Sequence, residues 1–261
     1  MKKLFKILLV IVSISFINCD NSESNDSTNP PNNGKLIHKI NNGEKAVFMY
    51  EGDKIMKGIG NAGLNVFQVE YENNKVKKVY EANYIYPSFT HPFDFNFDLT
   101  DGSYPELLVW DYNYSNNKLT SISINGFNLY SFNYDSNGRI IEEIQSIVGY
   151  GLANKTTKFF YDNNGKINSY IQIEGNTIKS GLFLTDSFIN PIYILWNKYN
   201  FVFPPDYASI TNFNERYFPN NTIGIYNGEQ VVETATMTYD NDNYPILYNR
   251  FSNVEIIEYL E

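Results

Sequence analysis

Tyr134-Asp135-Ser136-Asn137-Gly138-Arg139-Ile140 and Tyr161-Asp162-Asn163-Asn164-Gly165-Lys166-Ile167 are two copies of one local instruction. An aromatic run ends in Tyr; an acid, then Asn and Gly, then a cation and an aliphatic follow. Looser copies are Tyr50-Glu51-Gly52-Asp53-Lys54-Ile55, Tyr71-Glu72-Asn73-Asn74-Lys75-Val76, Tyr114-Ser115-Asn116-Asn117-Lys118-Leu119 and Tyr239-Asp240-Asn241-Asp242-Asn243-Tyr244. Asn-Gly is a strong hairpin signal because both residues tolerate positive φ, and Asp135 and Asp162 can bond their own downstream backbone. Upstream of the turn the apolar residues alternate, as in Tyr130, Phe132 and Tyr134, which is the period of a half-buried strand. Downstream the apolar spacing is three, in Val76/Val79, Leu119/Ile122 and Ile167/Tyr170. Either a β-bulge or a strand half buried on both faces accounts for that spacing.

Repeated hairpins in sequence order favour an antiparallel meander. A long meander twists and curls. The expectation is therefore an all-β fold, one strongly curved, open barrel-like sheet over residues 35–261. Two stretches break the pattern. Residues 84–105 hold Pro87, Pro92 and Pro105, which exclude a central strand at those points, although Phe93, Phe95 and Phe97 alternate as a short strand would. Residues 181–221 hold Pro191, Pro204, Pro205 and Pro219 around an aromatic cluster, and a short helix is expected there, best placed over Asp186 to Tyr199.

The N-terminus reads as an export signal. Lys2, Lys3 and Lys6 precede an apolar run from Leu8 to Ile17, too short for a comfortable membrane span, and Cys19 follows. Phe16-Ile17-Asn18-Cys19 resembles a bacterial lipoprotein signal. That resemblance implies removal of residues 1–18 and a lipid on Cys19, the only cysteine in the chain. Residues 19–34 are polar, without an apolar side chain larger than proline beyond the cysteine, and so form a flexible tether. The chain holds 20 Lys and Arg against 29 Asp and Glu, a formal net charge of −9. Nucleic acid needs a basic face and is not an expected partner. With Cys19 taken by lipid, the folded part has neither disulfide nor thiolate metal site; 22 Tyr and 19 Phe supply its buried area.

The lipoprotein start, the Tyr-Asp-x-Asn-Gly-Lys-Ile hairpins, Asn190-Pro191 and the closing Tyr239-Asp240-Asn241-Asp242-Asn243-Tyr244-Pro245 together resemble the YD-repeat-like lipoproteins of Bacteroidetes, of the DUF4595 type. The resemblance runs from about Leu36 to the end. It implies a curved all-β sheet and a place in the cell envelope, as an outer-membrane lipoprotein.

Chemistry-bearing residues are sparse. Only two histidines occur, His38 and His91, and there is no nucleophile triad, zinc motif or phosphate loop. Asp94, Asn96, Asp98 and Asp101 put several hard oxygens in a short segment, as a calcium loop does, but Leu99 stands where such a loop needs Gly and Pro105 where it needs Glu. Glu142, Glu143, Asp111 and Asp206 could furnish a carboxylate pair for hydrolysis. Flat aromatic platforms are the stronger prospect: Trp110, and the group Tyr193, Trp196 and Tyr199, could stack on a sugar or anchor a partner. The leading expectation is a lipid-anchored, non-catalytic envelope protein that binds a glycan or a partner protein and needs no cofactor. A carboxylate-dependent hydrolase of envelope or dietary polymers and a structural component of an outer-membrane assembly are the alternatives.

Overall fold

The computed structural model describes residues 37–41, 45–60, 65–83, 95–104, 106–146, 154–202, 217–218, 220–227, 230–250 and 253–260. Cys19, the signal and the tether lie outside them, as do His91, Asp94 and Asp206. The strands are β1 (Ile37–Asn41), β2 (Lys45–Glu51), β3 (Lys54–Gly60), β4 (Asn65–Glu72), β5 (Lys75–Asn83), β6 (Leu107–Ser115), β7 (Lys118–Ile124) and β8 (Phe127–Tyr134). They continue as β9 (Ile140–Gln145), β10 (Lys155–Tyr161), β11 (Ile167–Glu174), β12 (Thr177–Ile189), β13 (Asn220–Asn227), β14 (Gln230–Tyr239), β15 (Pro245–Arg250) and β16 (Asn253–Tyr259), with the helix α1 (Pro191–Tyr199) between β12 and β13. Each strand pairs antiparallel with the next, as the meander expectation requires. The sheet goes further than an open curve: β1 also pairs with β16, through Ile40–Ile257 and its neighbours, and this seam closes the ring.

The turn chemistry explains the hairpins. Asn73-Asn74 and Asn116-Asn117 all have positive φ, as two-residue hairpin turns demand. The Asp-x-Asn-Gly copies form longer loops: Gly138 N–H donates to Asp135 O at 3.0 Å and Asp135 N–H to Arg139 O at 2.9 Å, and residues 162–166 and 240–244 repeat this. The spacing of three is a β-bulge. In β4–β5, Glu70 pairs with Lys78 but Tyr71 with Val76, so Lys77 is the extra residue. The same slip occurs before Tyr50, Tyr114, Tyr134, Tyr161 and Tyr239. One inserted residue turns an i, i+2 inward pair into i, i+3, which is why Val76 and Val79 are both buried.

The interior is a single apolar core. Phe48, Phe67, Val79, Trp110, Ile122, Phe132, Phe159 and Tyr248 face inward from strands around the ring. A sixteen-strand ring of this kind would leave a channel unless filled. Here the filling is the segment around α1. Its Ile192, Leu195, Trp196 and Tyr199, with Phe201, Val202, Tyr217 and Phe218, pack on the wall residues. The helix starts later than the sequence pattern suggested: Asp186 to Ile189 continue β12. Asn190 sets the start, its Oδ1 accepting from Ile192 N–H at 2.9 Å and Tyr193 N–H at 3.4 Å, with Pro191 in the first turn. Asn200 ends it in the left-handed conformation, φ 54°.

A second, small cluster lies outside the wall. Ile59, Val66, Ala82 and Leu107 form one outward row, and Phe97 and Leu99 cover it. Residues 95–98 are not a strand, so the Phe95/Phe97 alternation does not mark one; Phe93 lies outside the described residues. Lys57 Nζ instead pins the segment by donating to the carbonyls of Phe95 and Phe97.

Candidate functional site

The repeat motif is a rim device. In four of the six copies the Tyr hydroxyl donates to the carbonyl of the aliphatic residue that follows an earlier turn: Tyr71 to Ile55 (2.9 Å), Tyr114 to Val76 (2.8 Å), Tyr134 to Leu119 (2.8 Å) and Tyr161 to Ile140 (2.5 Å). Tyr50 donates instead to Ile37 O (2.6 Å) and Tyr239 to the Asp186 carboxylate. Over each of these four rings lies the cation of the same earlier turn: Lys54 over Tyr71, Lys75 over Tyr114, Lys118 over Tyr134 and, closest at 4.3 Å, Arg139 over Tyr161. Burial, aided by Glu143 nearby, pushes the Tyr134 hydroxyl up to about 12. Within its own turn Arg139 donates backbone and side-chain hydrogen bonds to Asp135, which hold that carboxyl below its usual range. The motif therefore couples neighbouring hairpins.

The helix is tied to the same rim. Lys198 and the Tyr199 hydroxyl both donate to Asp53, in the turn between β2 and β3. The Tyr199 ring meets Tyr71 edge-on at 5.6 Å. Trp196 packs on Phe132 (5.6 Å) and Tyr217 (4.9 Å). Of the four aromatic platforms expected, Trp110, Trp196 and Tyr199 are buried at 2 %, 8 % and 2 % exposure, and Tyr193 is half-buried. A ligand stacking on either indole would have to enter the ring.

Two carboxylates lie inside. Glu81 accepts from Trp110 Nε1 at 2.9 Å, and Glu143, fully buried, accepts from the Tyr217 hydroxyl. Carboxyl groups withdrawn from water need such donors. Glu142 and Glu143 point to opposite faces: Glu142 is outside, bonded to Asn133 Nδ2 at 2.6 Å, so these two cannot flank one bond. Asp111 pairs with Lys78 outside at 3.1 Å. In the expected cation loop, Asp98 Oδ1 accepts from Thr100 N–H and Oγ1 and from Gln68 Nε2, Asp101 Oδ1 accepts from Ser103 N–H, and Asn96 is exposed. Among the described residues no three His, Cys, Asp or Glu side chains gather as metal ligands.

Two features of the outer wall are new. The first is an open groove of about 630 Å³ on β2–β5, lined by Glu51, Lys54, Gln68, Glu70 and Tyr80, with Thr100 of the covering segment at its edge. Tyr80 donates to Glu70 Oε2 at 2.9 Å; burial and this bond push its hydroxyl up to about 12. The second is an apolar strip on β10–β12. Thr157 and Phe159 face inward, so Thr156, Lys158 and Phe160 face outward. Pairing then sets Phe160–Ser169–Leu182, Lys158–Ile171–Ser180 and Thr156–Ile173–Ile178 in parallel outward rows. Ile178 is 70 % exposed and Leu182 52 %. The wall from β3 to β9 carries charges outside, with Lys57, Glu70, Lys78, Asp111 and Glu142 among its outward residues, beside the apolar row that Phe97 and Leu99 cover. Such a wall is the reverse of the apolar girdle of a transmembrane barrel.

No protein-family model and no curated protein matches the chain. Solved structures similar to it include a crystal structure of TcdB2-TccC3-Cdc42, at 11% identity and TM-score 0.35, covering 82% of this chain and 12% of that one. TcdB2-TccC3-TEV is similar at 11% identity and TM-score 0.35, over 78% of this chain and 11% of that one. A porin-like protein from Bacteroides uniformis is similar at 10% identity and TM-score 0.37, over 87% of this chain and 99% of that one. The chain spans about an eighth of the length of the first of these.

Proposed function

We propose that the protein is a lipid-anchored component of the cell envelope, tethered through Cys19, that acts by non-catalytic binding of a polar ligand, a glycan foremost, in the outer groove on β2–β5. The groove carries this reading. It sets two carboxylates, an ammonium, an amide and a phenol around one open concavity, while the lumen is filled by α1 and its neighbours. Several convergent polar groups on a rigid wall are what a glycan's hydroxyls require, and Tyr80 adds a ring. Glycan-array retention of the full chain, compared with a Glu51→Ala/Glu70→Ala double variant, tests it. Retention by the parent that disappears in a variant of unchanged thermal stability supports the groove; equal retention by both removes it. Fatty-acid labelling tests the anchor separately, with label expected on the parent and absent from Cys19→Ser.

A further inference from the structure

The ring is closed, but its strands do not pair along their whole length. On the rim of the motif turns, neighbouring hairpins part before their ends. β7 and β8 pair as far as Ser121–Ser131, and beyond that point the Leu119 carbonyl accepts from the Tyr134 hydroxyl. β9 and β10 pair as far as Glu142–Lys158, and the Ile140 carbonyl accepts from Tyr161. Side chains thus cover these short edges. The edge of β12 on the opposite rim is built differently.

β11 and β12 form a hairpin on the turn Gly175-Asn176, closed by the pair Glu174–Thr177, with Gly175 at φ +56°. The pair that closes a two-residue turn exchanges both of its backbone hydrogen bonds, and the pairs alternate from there. Thr177, Lys179 and Gly181 therefore turn their backbone groups to β11, while Ile178 and Ser180 turn theirs away from it. On that side β13 pairs only from Leu182 onward, with Tyr226, and at Asn227 it has already reached its turn toward Gln230 of β14. Among the described residues, nothing hydrogen-bonds the N–H and C=O groups of Ile178 and Ser180. The hairpin stands clear of its neighbour: residues 175–180 are all exposed, Ile178 to 70 %.

We infer that this free edge of β12 takes up an extended segment of a partner protein as an added antiparallel strand, with an acidic residue opposite Lys179. Neither the groove nor the lipid anchor enters this reading. The backbone selects an extended chain. Donors and acceptors that alternate along an edge are matched by another strand at about 4.8 Å, and by neither a sugar nor a lipid surface. The side chains reject a second copy. A two-fold contact that used both Ile178 and Ser180 would pair each with the other's image and set Lys179 directly opposite its own image. Such non-hydrogen-bonded partners are about 4.5 Å apart at Cα, and like charges there destabilise, whereas an acid there stabilises. On the outer face, the row Thr156–Ile173–Ile178 ends in the exposed Ile178, so an apolar residue of the added strand would extend it. Short edges that carry a lysine discourage indiscriminate pairing. This one leaves a single class of partner admissible.

The test is a titration of the full chain, held in detergent micelles, with the capped peptide Thr-Thr-Glu-Val-Thr. Its Glu falls opposite Lys179 when its Val lies opposite Ile178. The amide resonances of Ile178 and Ser180 are expected to shift saturably. N-methylation at the Val and the second Thr, whose N–H groups face the edge, should abolish the shifts; N-methylation at the Glu, whose N–H faces away, should leave them. Exchanging the peptide's Glu for Lys should weaken binding severalfold, and Lys179→Glu should reverse that order. Ser180→Pro removes a donor that β11 does not use, so it should abolish binding and leave the unfolding midpoint unchanged. The strand addition is overturned by any of three results: no shift at millimolar peptide, equal binding of the two N-methylated forms, or a Ser180→Pro variant destabilised as a ladder-breaking proline is. Shifts of these amides with protein concentration alone would seat a second copy on the edge and overturn the partner reading.

Discussion

Gly138 shows how much one residue can decide. Its φ is +84°, a conformation that costs an L side chain about 1–2 kcal/mol. Gly165 stands at the same point of its own turn with φ +77°, and at the third such turn Asn243 serves with φ +66°. Gly138→Ala should therefore lower stability by about 1–2 kcal/mol in urea unfolding, whereas Gly138→Asn should cost clearly less. Equal losses would mean the penalty comes from contact with Lys118, whose Nζ lies 3.3 Å from an added Cβ, and not from the backbone. Such turns were legible in the sequence because their chemistry is local. The partners of the motif's Tyr and cation were not, since both reach into the neighbouring hairpin: Tyr134 finds Leu119 O and Lys118, residues that no spacing rule within one turn identifies.

Among the elements, α1 is packed on the wall and is also clipped to it through Asp53. Nine residues without an acid, apolar around most of the circumference, cannot hold a helix in water and must be buried. Asp53 fixes its C-terminal end. Burial raises the Asp53 carboxyl, but hydrogen bonds from Lys198 and Tyr199 outweigh it and set it below its ordinary 3.8. Because the folded value lies below the unfolded one, the clip contributes fully above about pH 4 and is lost as pH falls through the depressed value. Trp196 emission should report that loss on acidification, and Asp53→Asn should flatten this acid limb; an unchanged limb would assign it to other carboxyls. The strands were easier to read than their faces. In β11 the spacing of three picked out Ile167 and Tyr170, and Tyr170, packed on Phe183, does face inward; beside it Gln172, bonded to Thr157, is turned inward too, while Ile171 and Ile173 face out. Alternation defines two faces without saying which is wet, so the strip stayed hidden, as did the groove, which needs the segment around Thr100 folded back over β4.

The ring and its filling share one core. Residues from β1 to β16 and from α1 belong to a single buried cluster, so the barrel should lose its plug and its wall together. Single-tryptophan variants check this: Trp196, left alone by Trp110→Phe, reads the plug, and Trp110, left alone by Trp196→Phe, reads the wall. Coincident urea transitions are expected; an earlier transition at Trp196 would show a plug that leaves an intact ring. The seam between β1 and β16 also orders events in time. A ribosome delivers β1 first and β16 last. Each hairpin can form as it emerges, but the outer edge of β1 stays unpaired until Ile257 arrives beside Ile40. The last hairpin to be made thus acts as a latch, and a chain stopped short of it would present a sticky strand edge to any neighbour in the same condition.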